Sequence, residues 1–203
     1  MTRAGLSRAS VAEEAARFCD EHGYPELSLA AVAKRLGVTV PSLYKHVRGL
    51  TGLRRDVAVL GAGELGRALE RAAIGRSGAE ALHAVTHAYR DYARAHPGRY
   101  AALQSPPDPT DDEAIGVVNA TLEVMFAVLR GMDIPEESMV DAVRALRSAM
   151  HGFVALETSG GFGLPQDIDH SFEVLVAGLT RAMADWPGRP EETDTTGGQR
   201  EGR

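Results

Sequence analysis

A short stretch near the N-terminus, residues 37–47, carries the strongest structural signal in the chain. Gly37 stops a preceding segment with helical apolar spacing, and helical character resumes at Pro41, a residue suited to the first turn of a helix. Two short helices joined by a tight turn that contains glycine form a helix-turn-helix. The pattern therefore predicts a DNA-binding head whose last short helix presents polar side chains to the nucleic acid.

Charge is distributed unevenly along the 203 residues, whose formal net charge is −6. The first 55 residues hold nine basic and five acidic side chains, a balance of +4, which leaves −10 for the remainder. A basic segment attached to an acidic body is typical of a head that faces phosphate and a body that does not.

The composition, with 44% apolar and 25% charged residues, is that of an ordinary globular protein. No run approaches the roughly 20 apolar residues of a membrane span, and the N-terminus lacks a signal-peptide core, so we expect a cytoplasmic protein. The single cysteine excludes an intrachain disulfide. Cys19 lies beside Phe18 on an apolar helical face, which predicts a small core residue.

Apolar residues recur at helical spacing throughout, and no run alternates with a period of two, which predicts an all-α fold of about nine helices. Ser7 and Ser28 are the predicted N-caps of the first two helices. We expect a helix-turn-helix head over residues 1–48, a helical body for ligand binding and dimerisation over 49–186, and a disordered tail over 187–203. The tail has no apolar residue after Pro187.

The fourth predicted helix, from about Leu50 to Ala73, connects the head to the body. Gly61, Gly63 and Gly66 lie within it, and each costs roughly 1 kcal/mol relative to alanine in a helix interior. We therefore expect a bend or a close helix crossing at these glycines.

Residues 28–47 resemble the DNA-binding segment of the TetR family of transcriptional regulators. The resemblance rests on the turn Leu36-Gly37-Val38 followed by Ser42-Leu43-Tyr44 and His46-Val47. Residues 89–100 and 150–157 resemble the WHG-type ligand domain of one TetR subclass, although Arg147 stands where that motif has its tryptophan. The resemblance implies a homodimer, a third helix placed in the major groove, and a ligand cavity in the body. It also implies dimerisation through the last two long helices, predicted here at residues 136–158 and 169–185.

Candidate DNA contacts follow partly from the resemblance and partly from residue chemistry. The resemblance assigns contacts to Ser28, Thr39, Ser42, Tyr44, Lys45 and His46; residue chemistry adds Val40, Thr51 and, as part of an N-terminal arm with Arg3, Arg8. The arm is equally consistent with a frayed terminus, and Tyr44 with packing in the head core. Many family members have a lysine where this chain has Leu50, so the other contacts would carry more of the phosphate binding.

Candidate ligand contacts are the large apolar residues and histidines of the body. They are Leu82, His87, Tyr89, Tyr92, Tyr100, Met125, Phe126, Met150, His151 and Phe153. Each is also consistent with ordinary core packing, because apolar residues at helical spacing mark burial of any kind. We expect no cofactor and no metal, since no cluster of cysteine and histidine ligands is apparent on one predicted face.

These observations predict a dimeric transcriptional regulator that binds a palindromic operator and is released by an unknown small-molecule effector. Repression is the commoner role in the resembled family, and activation remains open. The main alternative is a DNA-binding regulator whose body only dimerises. An enzyme using His87 or His151 with Glu157 is disfavoured, because no nucleophile motif or phosphate loop accompanies these residues.

Overall fold

The computed structural model describes residues 6–187. Within that range the chain forms nine α-helices and no strand, which confirms the predicted all-α fold. The helices are α1 (Arg8–His22), α2 (Leu29–Leu36), α3 (Val40–Leu43), α4 (Gly49–Ala73), α5 (Gly78–Ala95), α6 (Pro97–Ala102), α7 (Asp112–Arg130), α8 (Met139–Thr158) and α9 (Ile168–Ala184). Arg3 and the predicted tail beyond Pro187 lie outside the described residues.

None of the helices in this part of the chain is both long and apolar enough to cross a membrane. Short 3-10 turns precede α2, at Tyr24–Glu26, and α8, at Glu136–Ser138.

Capping side chains define the helices of the head. The Ser7 hydroxyl accepts a hydrogen bond from the Ser10 amide, and the Ser10 hydroxyl accepts one from the Ser7 amide, a reciprocal capping box. Ser28 caps α2 by accepting from the Ala31 amide at 3.3 Å. Gly37 ends α2 with φ 67°, a left-handed conformation that glycine adopts without strain. The predicted caps are therefore confirmed.

The core of the head is completed by helices of the body. Side chains of α1, α2 and α3 pack around Leu43, and Leu53 and Val57 of α4 enter the same cluster with no exposed surface. Ala102 of α6 closes it. A segment of about 50 residues buries too little surface to be stable alone, so the head depends on α4 and α6.

The body is built around α4, which crosses α5 and α7 closely. A Cβ atom added at Gly66 would lie 2.6 Å from Oγ1 of Thr121 on α7, and one at Gly61 would lie 3.3 Å from the Arg99 carbonyl oxygen. The Thr121 hydroxyl donates to the carbonyl of Ala62 at 3.1 Å. The expected close crossing at these glycines is confirmed, and its reason is the approach of α6 and α7.

Candidate nucleic-acid interface and effector cavity

The recognition segment continues past α3 as one further helical turn. The amides of His46 and Val47 both donate to the Leu43 carbonyl, at 2.8 and 2.9 Å. Leu43 and Val47 are buried in the head core, whereas Lys45 is exposed and Tyr44 is 60% exposed. The Tyr44 ring therefore faces outward, as a DNA contact requires, and is not packed in the head core.

The start of α3 carries a pair of hydroxyl groups. Oγ1 of Thr39 lies 2.9 Å from Oγ of Ser42, so one hydroxyl donates to the other. Thr39 is exposed, while Val40 is half-buried against the head core. The two hydroxyls can give up the hydrogen bond between them and donate to phosphate oxygens or to acceptors on the bases. Neither Ser nor Thr is restricted to one base.

Two other predicted DNA contacts are engaged within the protein. The Ser28 hydroxyl is the cap acceptor of α2. Arg8 donates from Nε and Nη2 to the two carboxylate oxygens of Asp56, at 3.0 and 2.6 Å, and Nη2 lies 3.5 Å from Glu113. Arg8 therefore anchors the start of α1 to α4, an arrangement that does not support its predicted role in an arm that binds phosphate.

The other head cations separate into paired and unpaired groups. Arg17 bonds Glu14, Arg35 bonds Glu14 and Glu21, and Arg55 bonds Asp111 and Glu113. Lys34, Lys45 and Arg48 are exposed, and no carboxylate oxygen among residues 6–187 lies within 4.0 Å of their charged nitrogens. Arg54 of α4 is half-buried, also has no carboxylate within 4.0 Å among residues 6–187, and lies over the Tyr24 ring. The exposed unpaired charge is thus carried by α2, by the turn after α3 and by the residue that precedes α4.

At the start of α4, Leu50 stands where the resemblance to the TetR family places a lysine. Leu50 is half-buried and packs against the head core, so it contributes to packing. Thr51 is exposed in the first helical turn, where backbone amides favour an anion. Arg48, exposed directly before this turn, is a candidate phosphate contact that the sequence reasoning missed, although its position next to a helix start was a usable signal.

A cavity of about 960 Å³ runs from the interior of the body to the junction with the head. Its inner wall includes Leu146 and Met150 of α8, and its outer end includes Arg8, His46 and Thr51. The side walls come from α4, α5, α7 and the segment between α6 and α7. The predicted DNA contacts His46 and Thr51 therefore lie where the head meets the cavity.

Four of the ten predicted ligand contacts line this cavity: Tyr89, Tyr100, Met125 and Met150. The other six are placed elsewhere: Leu82 and Phe126 pack in the body core, Tyr92 bonds the Gly61 carbonyl, His87 faces Glu173, His151 bonds Tyr100, and Phe153 packs between Phe162 and Phe172. The apolar pattern identified burial at these positions, but packing between helices determines which buried side chains face an open space.

One end of the cavity wall is polar. The hydroxyls of Tyr89 and Tyr100 lie 2.8 Å apart, and the Tyr100 hydroxyl lies 2.7 Å from Nδ1 of His151. Burial raises the pKa of Tyr89 and that of Tyr100, so both phenols stay protonated at neutral pH. Arg147 lines the same cavity and opposes the rise in both pKa values through its positive charge.

Comparison with known proteins identifies both halves of the chain. Residues 11–49 match the family described as bacterial regulatory proteins, tetR family, and residues 82–179 match the tetracyclin repressor-like C-terminal domain. The HTH-type transcriptional regulator Rv0681 of Mycobacterium tuberculosis is 38% identical over 181 residues, which cover 89% of this chain and 83% of that protein. The chain belongs to the TetR family of transcriptional regulators.

Further relatives agree with this assignment. The HTH-type transcriptional regulator YobS of Bacillus subtilis is 32% identical over 174 residues, covering 86% of this chain and 91% of YobS. The TetR protein SCO7222 of Streptomyces coelicolor superposes with a TM-score of 0.67 at 20% identity, covering 91% of this chain and 100% of its own. BioQ, solved with its double-stranded DNA operator, has a TM-score of 0.61 at 22% identity, over 87% of this chain and 99% of BioQ. These two structures share the fold.

The predicted family and DNA-binding head are therefore confirmed, and the protein is a TetR-type DNA-binding transcriptional regulator rather than an enzyme. In this TetR protein the position of the WHG tryptophan is occupied by Arg147, which places a cation in the cavity wall. Gln104, Thr86 and Thr121 also line the cavity and were missed by the sequence reasoning, because isolated polar residues carry no periodic signal.

Helix α6 joins the head of this TetR protein to its body. A Cβ atom added at Gly98 would lie 2.1 Å from the carbonyl carbon and oxygen of Cys19, so the two backbones are in direct contact. The Arg99 amide donates to the Asp20 carboxylate at 2.9 Å, and its guanidinium bonds Glu64 of α4 at 2.9 Å. Helix α6 therefore contacts both α1 of the head and α4 of the body.

Proposed function

We propose that this TetR-family regulator is a dimeric repressor that binds a palindromic operator and is released when a small molecule occupies the cavity of its body. The cavity is the observation that carries the proposal. Its volume of about 960 Å³ falls within the range of roughly 300–1,000 Å³ typical of small-molecule sites. A regulator whose body only dimerises has no need of such a space.

The position of the cavity supports a mechanical link to DNA binding. Ala62, Leu65 and Leu69 of α4 form part of its wall, and α4 also enters the head core through Leu53 and Val57. A ligand that binds better to one position of α4 shifts the population toward that position. The two heads of a dimer must match major grooves about 34 Å apart, so a change in their spacing lowers operator affinity.

The chemistry of the wall suggests the class of effector. Apolar side chains form most of the inner wall, beside the phenols of Tyr89 and Tyr100 and the guanidinium of Arg147. The outer end also carries charged side chains, several of which pair with one another, as Arg8 does with Asp56 and Arg55 with Asp111. An apolar molecule with one anionic or hydrogen-bonding group satisfies both parts of this wall. The guanidinium of Arg147 favours a carboxylate over an alcohol of the same chain length, because it can donate two parallel hydrogen bonds to the two carboxylate oxygens.

Helices α8 and α9 each present a stripe of small or apolar residues that supports dimerisation through them. Ala145, Ala149, Gly152 and Leu156 follow one another at helical spacing on α8, and Leu156 is 49% exposed. Val174, Ala177 and Gly178 do the same on α9. A Cβ atom added at Gly152 or Gly178 would meet no atom of residues 6–187 within 4 Å, which leaves room for the close approach of helices from a second copy.

The assembly is tested by placing a charge on this face. Ala177→Arg adds a cation at an exposed position, and we expect the variant to sediment as a monomer and to lose operator affinity. Ala120→Arg on α7, also exposed, is the matched control and should remain a dimer. Equal sedimentation of the two variants as dimers would place the interface elsewhere.

DNA binding is tested by titrating a fragment upstream of the protein's own gene and following the mobility shift at several salt concentrations. Removal of one phosphate contact lowers the slope of log affinity against log salt by about 1. We expect this loss for Lys45→Ala and for Arg48→Ala, and no loss for Arg71→Ala at the far end of α4. Binding that ignores sequence, or that is unchanged in Lys45→Ala, contradicts the proposed interface.

The effector site is tested by thermal unfolding with decanoate and decanol, which share an apolar chain and differ in charge. We expect decanoate to raise the midpoint of unfolding more than decanol, and Arg147→Gln to remove the difference. Val118→Phe fills part of the cavity. We expect this variant to bind DNA, but neither compound should raise its midpoint of thermal unfolding. If neither compound stabilises the wild-type protein, or Val118→Phe responds normally, the effector proposal fails.

A further inference from the structure

Two histidines of α5 and one carboxylate of α9 converge on the surface of the body, away from the cavity and the head. Nε2 of His83 lies 3.3 Å from Oε2 of Glu173, and Nε2 of His87 lies 3.1 Å from Oε1 of the same carboxylate. The three potential ligand atoms all lie within 4.8 Å of one another. We propose that His83, His87 and Glu173 form a site for a divalent transition metal, with Zn²⁺ the best match, that joins α5 to α9.

The distances between the side-chain atoms fit a shared metal. Zn²⁺ binds imidazole nitrogen at about 2.0–2.1 Å and carboxylate oxygen at about 2.0–2.2 Å in tetrahedral geometry, so neighbouring ligand atoms lie roughly 3.3 Å apart. The observed separations of 3.1 and 3.3 Å between nitrogen and oxygen match this edge length. A small rearrangement of the exposed side chains would complete the coordination.

His87 supplies an independent observation that points to a ligand. Its Nε2 atom is buried and has no hydrogen-bond partner among residues 6–187, although the Glu173 oxygen is 3.1 Å away. Nε2 of His87 is therefore close to the Glu173 oxygen, but the two atoms do not form a hydrogen bond. Two ligands of one metal are arranged in this way, because each directs its lone pair at the metal and not at the other ligand. Phe172 packs edge-on against the His87 ring at 5.1 Å and holds its orientation.

The surrounding charges leave Glu173 available for a metal. Arg90, one turn after His87, is occupied by Glu157 at 2.6 and 2.9 Å and by Asp169 at 2.6 Å. Within residues 6–187, the ion-pair partners of Glu173 are the two histidines themselves. Two imidazoles and one carboxylate are donors that suit Zn²⁺, and the exposure of His83 and Glu173 leaves room for water to complete its coordination.

This proposal differs from the sequence-based expectation that no metal binds. His83 and His87 are four residues apart on one helix, a His-x3-His spacing that the sequence reasoning overlooked. Glu173 lies 90 residues from His83, so only the packing of α9 on α5 identifies it as the third ligand. A metal at this position would fix Glu173 on α9, the helix that also carries the Val174, Ala177 and Gly178 stripe, with Ala177 one helical turn after Glu173.

The test uses the full-length protein without a histidine tag, stripped with EDTA and titrated with ZnCl₂ by calorimetry. We expect one Zn²⁺ per chain and a higher midpoint of thermal unfolding, because a ligand that binds the folded state stabilises it. His83→Ala, His87→Ala and Glu173→Gln should each weaken the affinity at least tenfold. Substitution by Co²⁺ should give the visible absorption of a four-coordinate nitrogen and oxygen site.

His170→Ala is the matched control, since His170 is exposed on α9 outside the cluster, and it should bind Zn²⁺ as the wild type does. Circular dichroism and metal-free thermal unfolding establish that each variant folds. Glu173→Gln keeps the size of the side chain, so a loss of metal binding there does not arise from altered packing. The proposal is overturned if Zn²⁺ does not bind stoichiometrically, or if His87→Ala and His170→Ala bind it with equal affinity.

Discussion

The head and the body differ in how completely their interiors are filled. In the head, Leu43, Leu53 and Val57 have no exposed surface and close a small core. In the body, a core of comparable burial surrounds a space of about 960 Å³. Close-packed interiors deform little, so we expect the head to behave as one rigid piece and the body, with its open space, to be the more deformable region.

Because the head core is filled and the body encloses an open space, the contacts between the two regions determine how the head is held on the body. The contacts that cross the junction include Arg8 with Asp56, Gly98 against the backbone of Cys19, and Arg99 with Asp20. Because the head is rigid, these contacts set its position relative to the body. Each of the following predictions alters a contact of one region or of the junction.

The largest effect is expected at the junction, for Gly98→Ala. The added methyl group would lie 2.1 Å from backbone atoms of Cys19, which cannot move as a flexible side chain can. We expect the free energy of unfolding to fall by about 3 kcal/mol, measured by urea denaturation. Gly116→Ala is the control, since a methyl there meets no atom of residues 6–187 within 4 Å, and it should raise stability by up to about 1 kcal/mol. Equal stability of Gly98→Ala and the wild type would show that α6 is not in contact with α1.

A smaller effect is expected in the body, where α4 crosses α7. Gly66→Ala places a methyl 2.6 Å from the Thr121 hydroxyl, and we expect a loss of about 2 kcal/mol. Thr121→Ala alone loses the bond to the Ala62 carbonyl, at a cost of about 1 kcal/mol. The double variant should lose less stability than the sum of the two single losses, because removal of the Thr121 hydroxyl also removes the clash with the methyl group at position 66. Additive losses in urea denaturation would contradict a direct contact between these positions.

A pH-dependent effect is expected where α4 meets the start of α7. Hydrogen bonds from Arg55 hold the pKa of Asp111 well below its usual range. A carboxyl whose pKa is lowered by folding contributes stability above its unfolded pKa of about 3.9, and loses that contribution as the pH falls toward the folded pKa. Asp111→Asn keeps a cap acceptor for the Ala114 amide but lacks the charge.

We therefore expect the difference in unfolding free energy between the wild type and Asp111→Asn to be largest near pH 7 and to shrink below about pH 4. Urea denaturation at several pH values measures it. Asp112→Asn, at the exposed neighbouring position, should show no such trend. A difference that stays constant from pH 7 to pH 3 would mean that the bond between Arg55 and Asp111 does not form in solution.

The smallest effect concerns Cys19, whose side chain is fully buried in the head. Burial raises the pKa of its thiol to about 11, so at pH 8 the thiol stays protonated and a reagent in solution cannot reach it. We expect no reaction with a thiol-specific reagent in native buffer and rapid reaction in urea. Gly98→Ala should increase the native reaction rate by separating α6 from Cys19. Rapid labelling of the native wild type would contradict the packed head.

The sequence alone was sufficient for the local structure. Ser7, Ser28 and Gly37 identified the ends of the first two helices, and apolar spacing identified the others to within a few residues. The differences lie at helix starts: a 3-10 turn occupies Glu136–Ser138, where the long helix was expected to begin at residue 136, and α9 begins at Ile168, capped by Asp167, where the expected range began at residue 169. Capping and periodicity are interactions within one or two helical turns, so the residues that cause them are visible in the chain.

Tertiary structure decided which of these residues are available for function. Arg8 and Arg55 are neutralised by carboxylates 48 and 56 residues away, whereas Lys34, Lys45 and Arg48 are exposed and unpaired among the described residues. Only four of the ten predicted ligand contacts face the cavity. His83 and His87 acquire Glu173 only because α9 packs on α5. The chain determined its helices and its family because those signals are local, whereas charge partners, empty space and the third member of the proposed metal site depend on how distant helices pack.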